Sequence, residues 1–252
     1  MKAVLAGLSL VLGTVYTSYG VMTIIDLRRG WRRFGFSHFG AAWIAMAFTC
    51  GPHHLEHGLH LALAGRAPGW TELVTVVVGL PAGVVWFLLR VEALAGGRGD
   101  RFVSGTPRWV GAMPVVAAAY VVAFGGAAWA LVAAGASSFR PVMVSNVLLV
   151  GLYMMIGWHL LVTQLRNRGP LGGWSVSGLA LTCVFPTCAL MHAAWLLHAV
   201  LGTYEVDVHG LVIDWLSVPA AFYFLWVVRS LQLGTASDWN RRSIAAPERA
   251  LA

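Results

Sequence analysis

The sequence predicts an all-α integral membrane protein with seven transmembrane helices, and three observations lead to this fold class. First, 58% of the 252 residues are hydrophobic and only 11% are charged, whereas a soluble domain usually has about 25% charged residues. Second, apolar stretches of membrane-spanning length recur along the whole chain. Third, the first three stretches match the last three at one fixed offset, which predicts two parallel three-helix repeats joined by one linking helix.

The seven apolar stretches are each long enough to cross about 30 Å of hydrocarbon, which takes roughly 20 residues of α-helix. Clusters of arginine, glycine and proline separate them, as is typical of connecting loops. The first stretch follows Lys2, but it is longer than the apolar part of a signal peptide and lacks a small-residue cleavage site, so we expect it to remain as a helix. The predicted spans cover residues 3–25, 39–64, 71–95, 109–135, 141–164, 174–201 and 210–233.

The basic residues predict the orientation of these spans. Fourteen of the seventeen Lys and Arg residues fall on one side of the membrane if the loops at 26–38, 90–108 and 165–173 and the C-terminal tail are cytoplasmic. Because cytoplasmic loops are enriched in Lys and Arg, the N-terminus is predicted outside and the C-terminus inside. These residues are Arg28, Arg29, Arg32, Arg33, Arg90, Arg98, Arg101, Arg108, Arg166, Arg168, Arg229, Arg241, Arg242 and Arg249. The net charge of +7 is thereby explained without nucleic acid; the expected partner is a lipid bilayer and the expected location the cell membrane, in multi-pass form.

A single offset in residue number aligns the first three spans with the last three without a gap; it is the offset that places Cys50 on Cys188 (188 − 50 = 138). Matches among Leu, Val, Ala and Gly are common by chance in any membrane protein, so matches of Cys, His and Pro carry the inference. The matched pairs are Cys50 with Cys188, His54 with His192, His60 with His198, and Pro81 with Pro219. Because the two units run in the same directions, a pseudo-two-fold axis along the membrane normal should relate them.

The duplication also predicts how the chain is divided. A first three-helix repeat should occupy residues 1–95, and a linker containing the fourth span should occupy 96–138. The second repeat should occupy 139–233, followed by a cytoplasmic tail at 234–252.

Spans 2 and 6 share the motif Thr-Cys-x3-His-x5-His, which begins at Thr49 and at Thr187. Its Cys and first His are four residues apart and therefore lie on nearly the same helix face. If the two helices face each other, two thiols and two imidazoles converge, and such ligands suit Zn²⁺ or another borderline-soft metal. The converging pairs would be Cys50 with His54 and Cys188 with His192.

The first copy of the motif carries additional polar residues. His53, His57 and His60 fall on one side of span 2, with Glu56 next to them, and span 7 adds Asp214. The predicted metal ligands are therefore Cys50, His53, His54, His57, His60, Cys188, His192 and His198. Glu56 and Asp214 are predicted to act as acid–base groups beside the metal.

A single histidine inside a membrane often only packs and bonds a neighbouring helix. We assign this role to His38 and His159 near the cytoplasmic ends, treat Cys183 as a small hydrophobic residue, and place His209 in a loop. The cluster on spans 2, 6 and 7 is different, because several ionisable groups in lipid are costly and generally functional.

Other chemistry is not indicated by the sequence. It contains no Walker loop, no Gly-x-Gly-x-x-Gly, no Gly-x-Ser-x-Gly, no His-Glu-x-x-His and no set of desaturase-like His-x-x-His-His boxes. Lys2 is the only lysine, so no retinal Schiff base can form in span 7. Three cysteines, all within spans, provide no disulfide framework.

Three functions remain open from the sequence. The first is a metalloenzyme that uses Zn, Fe or Cu to act on a lipid-soluble substrate. The second is an electron-transfer subunit with haem b, ligated by His54 and His192, and a redox partner. The third is a transporter of a metal ion, a proton or a small solute. The extra His53, Glu56 and His57 break the symmetry of the repeat and favour the metal site.

The predicted topology can be checked with paired reporters, one active only outside the membrane and one fluorescent only in the cytoplasm. Fusions at 67–69 should report outside, and fusions at 96–101 should report inside, because the Arg-rich loops stay in the cytoplasm. A cytoplasmic signal from 67–69 would reverse the orientation.

Overall fold

The computed structural model describes residues 1–63, 69–106, 140–201, 208–236 and 238–239, together with isolated positions between 108 and 133. In these residues the protein is almost entirely helical. The six long helices are α1 (Lys2–Phe34), α2 (His38–Leu63), α3 (Trp70–Leu94), α4 (Pro141–Asn167), α5 (Val176–Val200) and α6 (Val208–Leu233). Two short antiparallel strands, β1 (Phe102–Val103) and β2 (Trp174–Ser175), join the loops after α3 and α4.

The predicted spans 1, 2, 3, 5, 6 and 7 correspond to α1 to α6 in that order. Most of the predicted fourth span, residues 109–135, lies outside the described residues. The count of seven helices therefore stays a prediction.

Five of the six described helices are long and apolar enough to cross a membrane, namely α1, α3, α4, α5 and α6 from His209 onward. This composition is typical of a protein embedded in a lipid bilayer. The exception is α2, which has the length of a span but carries four histidines and Glu56 in its C-terminal half. Those polar groups lower its hydropathy, so α2 depends on neighbouring helices rather than lipid to cover them.

The described helices pack in a pattern with internal symmetry. α1 packs against α2 and α3, α4 packs against α5 and α6, α2 packs against α6, and α3 packs against α5. If α1 is exchanged with α4, α2 with α5 and α3 with α6, the same set of neighbouring pairs results. The most enclosed helix is α5, in which 83% of the most apolar stretch is buried, against 39–50% in the other four candidate spans.

Glycines let α1 and α2 approach each other closely. A Cβ at Gly13 would lie 2.7 Å from the backbone nitrogen of Leu55, and a Cβ at Gly51 would lie 2.7 Å from that of Thr17. Contacts of this kind between small residues are a common way to pack helices in membranes, where lipid provides no hydrophobic drive for association.

The N-termini of α2 and α5 are capped in the same way. The hydroxyl of Ser37 accepts a hydrogen bond from the backbone N–H of Gly40 at 2.9 Å, and the hydroxyl of Ser175 accepts one from Gly178 at 2.9 Å. Such caps satisfy backbone donors that the first turn of a helix leaves unpaired. The two serines, and likewise the two glycines, are related by the offset that places Cys50 on Cys188.

A carboxylate from the opposite half of the chain adds a second cap to each of these helices. Asp238, after α6, accepts from the backbone N–H of Phe39 at 2.8 Å, and Asp100, after α3, accepts from that of Ser177 at 2.9 Å. A negative charge at a helix N-terminus is also favoured by the helix dipole. The two aspartates are related by the same offset, and so are the two residues that they cap, so the offset found in the spans extends into these loop contacts.

A layer of packed aromatic rings lies toward the N-terminal ends of α2 and α5. Ring centroids are 4.3 Å apart for Trp43 and Trp86, 4.5 Å for Tyr19 and Trp86, and 5.0 Å for Phe185 and Phe224. All five side chains are buried. We call them the aromatic layer, and they fill the centre of the bundle on that side of the polar residues described below.

The matched caps predict matched effects on stability. Asp100→Ala and Asp238→Ala should each lower the free energy of unfolding by about 0.5–2 kcal/mol, since each removes a helix cap. Asp100→Asn and Asp238→Asn are the controls, and they should restore most of the loss because asparagine also caps helices well. Reversible unfolding in detergent micelles measures the free energy of unfolding of the wild type and of all four variants. A large loss for one alanine variant and none for the other would contradict their equivalence.

Candidate functional site

Buried polar side chains gather between the C-terminal halves of α2 and α5. α2 contributes three histidines and α5 contributes one, and α3, α4 and α6 contribute one polar side chain each. All of these side chains are nearly inaccessible to solvent, although they carry polar or ionisable groups. The group, here called the polar cluster, consists of His53, His54, His57, Glu72, Asn146, His192 and Asp214.

A small cavity lies inside this cluster. Its volume is about 10 Å³, which is the space that one water molecule or one small ion needs. Five of the eight predicted metal ligands line it, namely Cys50, His53, His54, Cys188 and His192. The remaining wall is formed by Tyr153, Met191, Trp195 and Ser217.

A chain of polar contacts links four helices on one side of the cavity. Nδ1 of His53 lies 3.1 Å from Oδ1 of Asp214, within ion-pair range, although the two atoms are not aligned as a hydrogen bond. Asn146 donates from Nδ2 to Oδ2 of Asp214 at 3.1 Å, and its Oδ1 lies 2.7 Å from Nδ1 of His192. Asp214 therefore orients one imidazole directly and a second one through Asn146.

These contacts define the protonation of the His192 ring. The Nδ2 group of Asn146 also donates to the carbonyl of Val142 at 2.8 Å, which fixes the amide orientation and makes Oδ1 the acceptor. Nδ1 of His192 must then carry the proton, which leaves the lone pair of a neutral ring on Nε2. Nδ1 of His53 also faces an acceptor, the carboxylate of Asp214, at 3.1 Å.

The rings of His53 and His192 lie close together. Their centroids are 5.8 Å apart, and His53 stacks on Trp195 with a centroid distance of 4.4 Å. Two imidazoles bound through nitrogen to one tetrahedral metal ion would have centroids roughly 5 Å apart, given metal–nitrogen bonds of about 2.0–2.1 Å. The observed separation is close to that requirement.

Two thiols complete the cavity wall. The side chains of Cys50 and Cys188 border the cavity from opposite halves of the bundle, and neither forms a disulfide. The hydroxyl of Tyr153 lies 3.3 Å from Sγ of Cys50, and the hydroxyl of Tyr16 lies 3.9 Å from Sγ of Cys188. Each thiol therefore contacts a tyrosine from the opposite half of the chain.

His54 lies on the cavity wall but does not face His192 as the motif alone predicts. Its ring packs edge-on against Tyr16 of α1, with centroids 5.4 Å apart, whereas the histidine ring that contacts His192 is that of His53. Successive residues of a helix are rotated by about 100°, so α2 cannot direct both rings toward α5. Nδ1 of His54 is buried and has no hydrogen-bond partner within the described residues.

The second buried carboxylate is Glu72 rather than Glu56. Glu72, in the first turn of α3, is 3% exposed, and its Oε2 lies 3.9 Å from Nε2 of His57. Glu56 is half-buried and is not part of the cavity wall. An acidic residue at the outer end of the third span, before a long apolar run, was a signal for Glu72 that the motif alone does not contain.

The remaining histidines lie away from the cavity. His60 is half-buried, and Nε2 of His198 lies 2.6 Å from the hydroxyl of Thr71 on α3. His209 is exposed at the start of α6. Near the other end of the bundle, His38 bonds Tyr223 and His159 bonds Gln232, as expected of residues that join helices.

The side chains do not form a ready coordination sphere. Among the described residues, no three His, Cys, Asp or Glu side chains converge in a geometry that would hold a metal ion. The donor set on the cavity wall fits a metal chemically, but binding requires the thiols and imidazoles to turn toward one point.

Comparison with known proteins gives no match, whether with family models, curated proteins or solved structures. The fold and the polar cluster together describe a bundle with five helices long and apolar enough to cross a membrane and with buried histidines that face carboxylates.

Proposed function

We propose that this protein binds one transition-metal ion in the cavity between α2 and α5, with Cys50, His53, Cys188 and His192 as ligands. One observation carries the proposal. Nδ1 of His53 contacts Asp214 directly, and Nδ1 of His192 contacts Asn146, which in turn bonds Asp214. Both histidines line the same ion-sized cavity as the two thiols. Metal-ligating histidines are generally oriented in this way, by a carboxylate or another acceptor on the second ring nitrogen.

The charge of the ligand set also favours a metal. Two thiolates and two neutral imidazoles give a neutral complex with a divalent ion, and a neutral complex avoids most of the cost of placing charge in hydrocarbon. Sulfur and imidazole ligands together select Zn²⁺ or copper over hard cations such as Mg²⁺ and Ca²⁺. Because the thiols must lose their protons first, binding should release two protons and weaken as the pH falls.

The proposal includes the duplicated architecture, seven spans with the N-terminus outside. The duplication is supported by the symmetric helix neighbours, by the matched serine and aspartate caps, and by Thr49 and Thr187. The hydroxyls of these two threonines each contact two backbone carbonyls of the preceding turn, at equivalent positions. In the proposed site, each three-helix unit supplies one cysteine and one histidine.

The size of the cavity favours a single ion over haem. A space of about 10 Å³ is far smaller than a porphyrin, and the described side chains around it are closely packed. A lipid-soluble substrate would also need room beside the metal, so we assign binding of the ion rather than catalysis. In this role Asp214 orients the histidines and does not act as the acid–base group that the sequence suggested.

The aromatic layer argues against a path through the bundle. Trp43 and Phe185, with ring centroids 5.9 Å apart, pack below the two thiols, toward the N-terminal ends of α2 and α5. Ionisable side chains mark the paths of ions and protons in membranes, and the aromatic layer consists of Trp, Phe and Tyr side chains instead. The proposed ion therefore stays in the site.

Metal analysis of the detergent-purified protein tests the proposal. After dialysis against Zn²⁺, one ion per chain should remain bound, and Cys188→Ser and His192→Ala should abolish stoichiometric binding because each removes a ligand. Asp214→Asn should keep the ligands and weaken binding by about 10–100-fold, as is usual for outer groups that orient them.

The matched control is His159→Ala, which removes a histidine that only joins helices. It should leave the bound metal unchanged. Equal metal content in wild type and His192→Ala would contradict the proposal, and so would a Soret band in the optical spectrum of the purified protein, which would select haem.

A further inference from the structure

The two thiols of the cavity form a pair of their own. Cys50 and Cys188 come from opposite halves of the chain, at equivalent positions of the repeated motif, and both side chains border the same two cavities. Cys183 lies on the same helix as Cys188, is half-buried, and lines neither of the two cavities at the pair. The chain thus offers one facing pair of thiols and one separate thiol.

The pair separates two cavities of different character. On one side is the polar cavity with the histidines. On the other side is a second cavity, also of about 10 Å³, bordered by the two thiols and by mostly apolar side chains. Those side chains are Tyr16, Trp43, Met46, Ala47, Val184 and Phe185.

The surroundings of the pair determine which reagents can reach it. Both thiols lie near the middle of their helices, where Cys188 is 5% exposed and Cys50 is half-buried, so an oxidant must reach them from within the membrane. A reagent that partitions into lipid can enter at this depth, whereas a charged oxidant in water cannot. The natural oxidant that fits this position is a lipid-soluble two-electron acceptor of the quinone class.

We infer that Cys50 and Cys188 are a reversible dithiol–disulfide pair that covalently links the two halves of the bundle when oxidised. One S–S bond forms and two S–H bonds break, and the two protons and two electrons reduce a quinone to its hydroquinone. A sulfur in the disulfide is no longer a thiolate, so the oxidised form lacks two ligands of the proposed metal. This second consequence rests on the proposed function, whereas formation of the disulfide does not.

The test uses the full chain in detergent after treatment with a chelator. Tetramethylbenzoquinone serves as the oxidant, because every ring position is substituted and it cannot add to thiols. The free thiols should fall from three to one, the intact mass should drop by two hydrogen atoms, and one hydroquinone should appear per chain. Peptide mapping without reductant should find Cys50 joined to Cys188, and a thiol reductant should reverse all of these changes.

Three variants make this result specific. Cys183→Ser is the matched control on the same helix, and it should still lose two thiols. Cys50→Ser and Cys188→Ser should form no internal disulfide. The inference is overturned if the chelated wild-type protein keeps three free thiols, or if the joined peptide contains Cys183.

Repeating the oxidation with Zn²⁺ bound separates this inference from the proposed function. If the thiols are metal ligands, bound zinc should slow disulfide formation at least tenfold. If disulfide formation is equally fast with and without zinc, the thiols are not metal ligands, and the inference of a redox pair is unaffected. If the protein binds zinc but forms no disulfide, the inference of a redox pair is wrong and the proposed metal site stands.

Discussion

The buried carboxylate of Asp214 is the constraint on which the rest of the site depends. It is 1% exposed, and an unpaired carboxylate at such a position costs several kcal/mol even after the surroundings relax. His53 and Asn146 compensate this cost, and Asn146 extends the contact to His192. One side chain of α6 thereby ties together α2, α4 and α5 and gives two imidazoles defined orientations.

The helix packing supports this arrangement from both sides. Close contacts at Gly13 and Gly51 bring α2 near α1, which lets Tyr16 reach His54 and Cys188. The aromatic layer closes the centre of the bundle beyond the thiols, so the polar groups occupy one half only. α2 is too polar to face lipid along its whole length, and its enclosure by other helices follows from the same histidines that build the site.

Periodicity and composition were sufficient to predict the helices that the structure describes, because long apolar stretches leave little choice of conformation in a membrane. The shared motif also identified the thiols and His192, whose positions on the cavity wall require only that α2 and α5 face each other. The rotation of α2 was not predictable. Pro52 lies within the helix just before His53 and removes a helical hydrogen bond, and tertiary packing then directs His53, not His54, toward His192. Asn146 belongs to no motif, so only the folded arrangement connects it to the site, and Glu72 was marked only by its place in an apolar span.

X-ray absorption at the zinc edge of the metal-loaded protein counts the ligand atoms of the proposed site without reference to a mutation. We expect a mixed first coordination shell, with two sulfur atoms at about 2.3 Å and two nitrogen atoms at about 2.0–2.1 Å. Imidazole scattering from two histidines should accompany the nitrogen shell. A first shell that contains only nitrogen and oxygen atoms would contradict the assignment of Cys50 and Cys188, and with it the proposed site between the two halves of the bundle.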